Sequence, residues 1–419
     1  MKIFKFQAVL ICLLCFASTM QAQVVPNPAS YLGYTVGTRF TRHHNIVSYF
    51  NTIAQAVPDR VKIINYGKTN EGRDLLVAAI GLPENIAQLE KIRKHNNGLV
   101  DGSVEDLNQP NIVWLNYNVH GNEPSSSEAA MLTLFALVDP TNTKTKEWLK
   151  NTIVMIDPCI NPDGRDRYVN WYNNAVGNTM NVDPQAREHM EPWPAGRTNH
   201  YNFDLNRDWA WQTQLETQQR IPLYQSWYPQ VHVDFHEQGY NAPYYFAPAA
   251  EPLHDVLTPW QKSFQDQIGK NHAKYFDQNN WLFFTKERFD LLYPSYGDTY
   301  PMYNGAIGMT YEQGGSGGAG VLVLQNSGDL LSLEQRIENH VSSSFEALFT
   351  SARLSSDLVN QMSEFFELNR TKPSGRFHAY HIPVSEDNIS RTQSLVSFLA
   401  KHNIRCEAVL ENTRISQAW

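Results

Sequence analysis

Over residues 34–351, segments with apolar residues at helical spacing alternate with short apolar runs bounded by turn residues, the pattern of α/β units around a largely parallel central sheet. Residues 43–57 read as a helix, and residues 61–66 and 75–80 as strands joined by a polar turn at 67–74. Further strands are predicted at 112–119, 152–156, 231–235 and 307–311, with a helix over 126–138 after the first of these. These four strands end at turns that carry reactive side chains. Beyond residue 353 the texture changes to a helix at 355–367, the turn Lys372-Pro373-Ser374-Gly375, a strand near 376–381, a helix at 388–402 and a strand at 405–409. That order is the opening βαβ unit of a second α/β domain, too short to bury its own faces. It either packs on the preceding domain or begins a unit of a longer chain.

Composition narrows the picture. Among 419 residues, 42% hydrophobic and 12% aromatic against 18% charged exclude a disordered chain and supply a full core. The balance of 34 Lys+Arg to 42 Asp+Glu leaves a net charge of −8 with no basic run, so neither a nucleic-acid backbone nor an anionic lipid surface is an expected partner. Lys2 and Lys5, an apolar run at 8–17 and the small residues Ser18, Thr19 and Ala22 predict a signal peptide over residues 1–22 and a secreted or periplasmic protein. The run is roughly half of what a membrane-spanning helix needs, so no transmembrane anchor is expected. The expected division is therefore signal peptide 1–22, a main α/β domain over 23–353 and the partial α/β segment 354–419. Cys12 and Cys15 leave with the signal, and Cys159 and Cys406 are too few for a disulfide framework.

The chemistry lies at the strand ends. His120-Gly121-Asn122-Glu123-Pro124 follows the strand at 112–119 and brings an imidazole and a carboxylate three residues apart, which can bind one metal ion together. His236 follows the strand at 231–235, and His plus Glu plus His leaves one position open at a tetrahedral zinc ion, the ligand set of a hydrolytic site. His232 and Asp234 share a strand face with His236, making His232 a rival ligand and Asp234 a partner that orients one. Glu312, in Thr310-Tyr311-Glu312-Gln313-Gly314-Gly315, is held where a strand meets a glycine-rich loop and suits a general base, with Glu237 competing for that role. In Asp204-Leu205-Asn206-Arg207-Asp208-Trp209 a guanidinium beside an amide suits a carboxylate, and Arg197 upstream could polarise a carbonyl. Asn161-Pro162-Asp163-Gly164 is a turn by composition. Taken singly, each piece is weak, and a helix-start turn, a core histidine, a surface Glu or a structural ion pair is the more common explanation.

In this order, and with Gly67-Lys68-Thr69-Asn70-Glu71-Gly72-Arg73 ahead of them, these motifs resemble the zinc carboxypeptidase family, the carboxypeptidase A-like metallopeptidases, from about residue 34 to 317. The resemblance implies a mixed, largely parallel central sheet flanked by helices on both faces. It implies one zinc ion per chain on His120, Glu123 and His236, with Glu312 as general base and acid. It further implies that Asn206 and Arg207 hold the free carboxylate of a peptide or protein C-terminus and that Arg197 stabilises the developing oxyanion, Arg187 being the alternative. The family's mobile tyrosine falls on Tyr293, four residues before Gly297, with Tyr296 as the rival. The activity implied is hydrolysis of the last peptide bond by a secreted metallocarboxypeptidase. A cell-wall peptide amidase or an N-acyl amino acid deacylase on the same scaffold, and a catalytically dead binding module, are the competing readings.

Overall fold

Helix α1 (His43–Ala56) forms because Ile46, Tyr49, Phe50 and Ile53 recur on one face, where all four are buried, and Pro58 prevents its continuation. The computed structural model describes residues 25–372, 377 and 379–409. The predicted signal peptide with Cys12 and Cys15, and the turn at 373–375, lie outside them. Strands β1 (Val61–Lys68) and β2 (Asp74–Ile80) pair antiparallel across the polar turn, and helix α2 (Leu89–Asp101) follows. Then come β3 (Asn111–Tyr117), α3 (Ser125–Val138), β4 (Thr152–Asp157), α4 (Pro162–Ala175), α5 (Leu215–Trp227) and β5 (Val231–Gly239). Further along the chain come β6 (Tyr244–Tyr245), α6 (Pro259–Gln278), β7 (Phe283–Phe284), β8 (Ile307–Gly315), α7 (Leu333–Arg353), α8 (Ser355–Thr371) and α9 (Ile389–Ala400).

Among the described residues these strands build one eight-stranded sheet in the order β1-β2-β4-β3-β5-β8-β6-β7. The central run β4-β3-β5-β8 is parallel, and β1, β2 and β6 add antiparallel pairings at the sides. The expected fold class is the observed one. All residues of β3 are buried because both sheet faces are covered, and period-2 alternation sorts them. Val113, Leu115 and Tyr117 pack with α1, α3, α6 and α7, whereas Ile112 and Trp114 pack with Ile92 of α2 and Ile221, Tyr224 and Trp227 of α5.

The structure differs from the sequence reading in three places. The strand expected to reach residue 119 stops at Tyr117, because Asn118 takes a left-handed backbone (φ 61°) that turns the chain out of the sheet. β5 and β8 run past His236 and Glu312 to Gly239 and Gly315, paired in parallel throughout with Glu312 opposite His236. The ligand and the base candidates therefore sit inside rigid strands rather than at their last residues. Residues 404–409, expected to include a strand, are irregular, and in the strand expected near 376–381 Ala379 forms an isolated bridge. Helix α9 lies within the predicted 388–402, and α8 starts where expected and sends Leu358, Val359 and Met362 into the interior. Cys159 is buried, Cys406 is exposed, and both are free.

Candidate metal centre

The left-handed Asn118 does more than end β3. Its Nδ2 donates to the carbonyls of His120 (2.6 Å) and Glu123 (2.9 Å), and its Oδ1 accepts from Arg165 (3.1 Å), so both ends of the His120–Glu123 turn hang on one buried amide. Gly121 is required by close approach: a Cβ there would lie 2.1 Å from the Arg165 nitrogen. The Asn161-Pro162-Asp163-Gly164 turn, whose Asn161 caps α4 by accepting from Gly164 N at 3.0 Å, thus packs directly beneath the metal-ligand turn. Behind it Arg73 binds Glu71 (2.5 Å), Asp163 (2.7 Å) and Asp166 (2.7 Å), which gives the Gly67–Arg73 motif a supporting role. Glu71, Asp163 and His200 also converge closely enough for a cation, but the Arg73 guanidinium already supplies the positive charge there.

His120, Glu123 and His236 are brought together, all buried, with ligand atoms within 4.8 Å of one another. His120 Nδ1 lies 2.8 Å from Glu123 Oε1, His236 Nδ1 lies 3.1 Å from Oε2, and the two Nδ1 atoms are 3.3 Å apart. Each imidazole turns its other nitrogen to a carboxylate: His120 Nε2 is 3.0 Å from Asp204 Oδ1, and His236 Nε2 is 2.9 Å from Asp234 Oδ2. Two inward Nδ1 atoms, one carboxylate and two outer carboxylates that orient the rings form a donor set that fits zinc. Burial opposes ionisation of Glu123, yet the neighbouring His120 and His236 hold its carboxyl far below the ordinary range.

Asp204 joins three parts of this arrangement. Its Oδ1 accepts from Asn206 N (2.9 Å) as well as facing His120, and its Oδ2 accepts from Arg197 Nε (3.1 Å) and Nη2 (3.0 Å). Burial pushes its carboxyl up, but His120, Arg197 and Arg207 outweigh that and hold it well below the usual carboxylate range. Arg197 also reaches Glu123 Oε1 at 3.4 Å, whereas Arg187 sits in a short 3₁₀ turn with no ion pair to the cluster. Asn206 Oδ1 accepts from Gly297 N (2.7 Å) and its Nδ2 lies 3.5 Å from His236 Nε2. Arg207 is half exposed, with its guanidinium 4.7 Å above the Tyr296 ring. Tyr293 packs edge-on against Tyr296 at 5.0 Å, and its hydroxyl accepts from Trp211 Nε1 at 2.7 Å.

Glu312 stands in register beside His236, with Oε2 buried and unpartnered, and burial pushes its carboxyl up to about 8. Glu237, the rival base, is fully engaged elsewhere: Oε1 accepts from Ser125 N and Oγ, and Oε2 from Ser316 N and Arg336. His232 is not among the clustered ligands; both its nitrogens are buried between Trp209 and Tyr224, and burial lowers it to about 3. Asp204 as an organiser, and the buried pair of Glu237 with Arg336, escaped the sequence reading. The Asp204-Leu205-Asn206-Arg207 motif held the only local signal for the first.

A family profile described as zinc carboxypeptidase matches residues 46–277, more than half of the chain. The chain belongs to the zinc carboxypeptidase family. The fold agrees with solved members: carboxypeptidase A from Helicoverpa armigera is 16% identical, with 84% of this chain and 81% of that one covered and a TM-score of 0.51. Thrombin activatable fibrinolysis inhibitor is 15% identical, with 81% of both chains covered and a TM-score of 0.53. A metallo-carboxypeptidase from Burkholderia cenocepacia is 15% identical over 74% of this chain and 70% of that one, with a TM-score of 0.51. At such identities the likeness is one of fold. No curated protein sequence matches the chain. The candidate site gathers toward the carboxyl ends of the parallel strands β3, β5 and β8, with His120 and Glu123 just past β3 and His236 and Glu312 within the C-terminal halves of β5 and β8.

Proposed function

We propose that the chain is a secreted zinc metallocarboxypeptidase that hydrolyses the last peptide bond of peptides or proteins. The single observation that carries the reading is the convergence of the two Nδ1 atoms and the Glu123 carboxylate, each ring backed by its own carboxylate, beside the unpartnered Glu312. Zinc held by His120, Glu123 and His236 would supply Lewis acidity toward the scissile carbonyl and toward water. Glu312 takes a proton from the attacking water and passes it to the departing amine, its unpartnered Oε2 being free to meet that water. Arg197, fixed by Asp204, directs its remaining N–H groups at the oxyanion. Asn206 and Arg207 receive the terminal carboxylate, which suits a planar fork of donors, and Tyr293 closes over the terminal residue.

Two measurements on purified protein test these assignments. Elemental analysis is expected to return close to one zinc per chain. Changing Glu312→Gln is expected to lower kcat by ~100-fold or more with that content unchanged. Full activity in the variant removes Glu312 from the mechanism, and loss of zinc along with activity reassigns it to metal binding.

A further inference from the structure

The segment that follows the proposed anchor pair is fastened from two sides. On one side lies the loop 293–298: Gly297 N donates to Asn206 Oδ1 (2.7 Å), Ala210 N to Ser295 Oγ (2.9 Å) and Trp211 Nε1 to Tyr293 Oη (2.7 Å). On the other side lies the C-terminal segment. His402 Nε2 meets Ala210 O at 2.8 Å while its Nδ1 meets Tyr300 Oη at 3.0 Å, and Asn403 Nδ2 donates to Tyr228 Oη at 2.8 Å. The Phe398 ring of α9 stacks on the Trp211 indole, with centroids 5.8 Å apart and planes inclined by 22°. Trp211 is itself 50% exposed, so the Tyr293 hydrogen bond and the Phe398 stack, not a surrounding core, fix the indole.

We infer that Trp211 is a positioning residue for Tyr293, backed by Phe398, so that the C-terminal segment forms part of the wall that receives the substrate's terminal residue. The chemistry favours this direction. An indole N–H only donates, so it fixes the Tyr293 oxygen as an acceptor and leaves the phenolic proton free to be donated to a bound peptide. The inference rests on the proposed roles of Arg207 and Tyr293, and its test separates the two.

Trp211→Phe keeps an aromatic ring under Phe398 and removes the N–H. In a double-mutant cycle with Tyr293→Phe, Trp211→Phe is expected to raise KM for a free-acid peptide about fivefold in the parent, with a much smaller change in kcat, and to have no effect once the Tyr293 hydroxyl is gone. Additive effects in the double variant overturn the positioning role, because a purely structural residue acts regardless of that hydroxyl. A second readout needs no turnover: nitration of Tyr293 by tetranitromethane, mapped by mass spectrometry, is expected to accelerate severalfold in both Trp211→Phe and Phe398→Ala. Unchanged nitration in Trp211→Phe sinks the latch, and unchanged nitration in Phe398→Ala removes the C-terminal segment from it. If the parent proves inactive on peptides, the proposed function falls while nitration still decides the latch.

Discussion

At the residue scale, the most consequential side chain is one with no role in the sequence reading. Asp204 faces His120, accepts from the backbone of Asn206 and holds Arg197, so one carboxylate aligns the proposed metal ligand, the proposed anchor turn and the arginine proposed for the oxyanion. Asp204→Asn keeps the shape and removes the charge that favours the ligand's orientation. It is expected to weaken zinc binding by roughly 10- to 100-fold in competition with a chelator, and unchanged affinity would contradict that role. Arg197 was a choice between two arginines for the same reason: spacing along the chain could not tell which would meet a carboxylate folded back over the turn. A second residue, Asp157, gives a pH signature. It accepts from the Tyr66 hydroxyl at 2.8 Å, and burial, opposed by the Arg220 charge, pushes it up to about 7. The folded state therefore holds a proton that the unfolded chain releases near the ordinary value of 3.8, so stability is greatest below that value and declines until the pH passes about 7. Asp157→Asn abolishes the decline and is expected to stabilise the fold at pH 8 by up to about 4 kcal/mol, with little change at pH 4. Equal shifts in melting temperature at both pH values would contradict the assignment.

At the element scale, the strands that carry the chemistry are rigid because polar residues beyond them are buried with partners. Glu237 continues β5 and ties it to the start of α3 through Ser125, to the end of β8 through Ser316 and to α7 through Arg336. Both members of the Glu237–Arg336 pair are fully buried. Arg336→Met leaves that carboxylate without its cation and is expected to destabilise the fold by about 3–5 kcal/mol in urea denaturation, with Glu237→Gln in the same chain recovering most of the loss. A double variant no more stable than the single one would contradict a charge-driven effect. The same pair explains what the sequence could and could not convey. Apolar runs such as those of β3 and β4 announce strands covered on both faces, whereas the His120–Glu123 turn reads as a candidate ligand pair only together with His236 and the other motifs in order. The extensions of β5 and β8 are polar, and they are buried only because Arg336, Asn339 and Ser125 come from elsewhere in the chain.

At the scale of the whole molecule, a parallel core of four strands between helical layers gathers the metal-ligand, base and anchor candidates at one sheet end. The distant solved relatives share the fold at 15–16% identity, which locates the likeness in topology rather than in the bulk of the sequence. Among the described residues no helix is long and apolar enough to cross a membrane. The central claim, hydrolysis of the terminal bond at a zinc site, is tested most directly by incubating the protein with a mixed peptide library, half with free and half with amidated C-termini, with and without a zinc chelator, and following the products by mass spectrometry. Stepwise loss of single residues from the free-acid peptides alone, stopped by the chelator, is the expected result. Equal trimming of amidated peptides, trimming that survives chelation, or no trimming at all would contradict it.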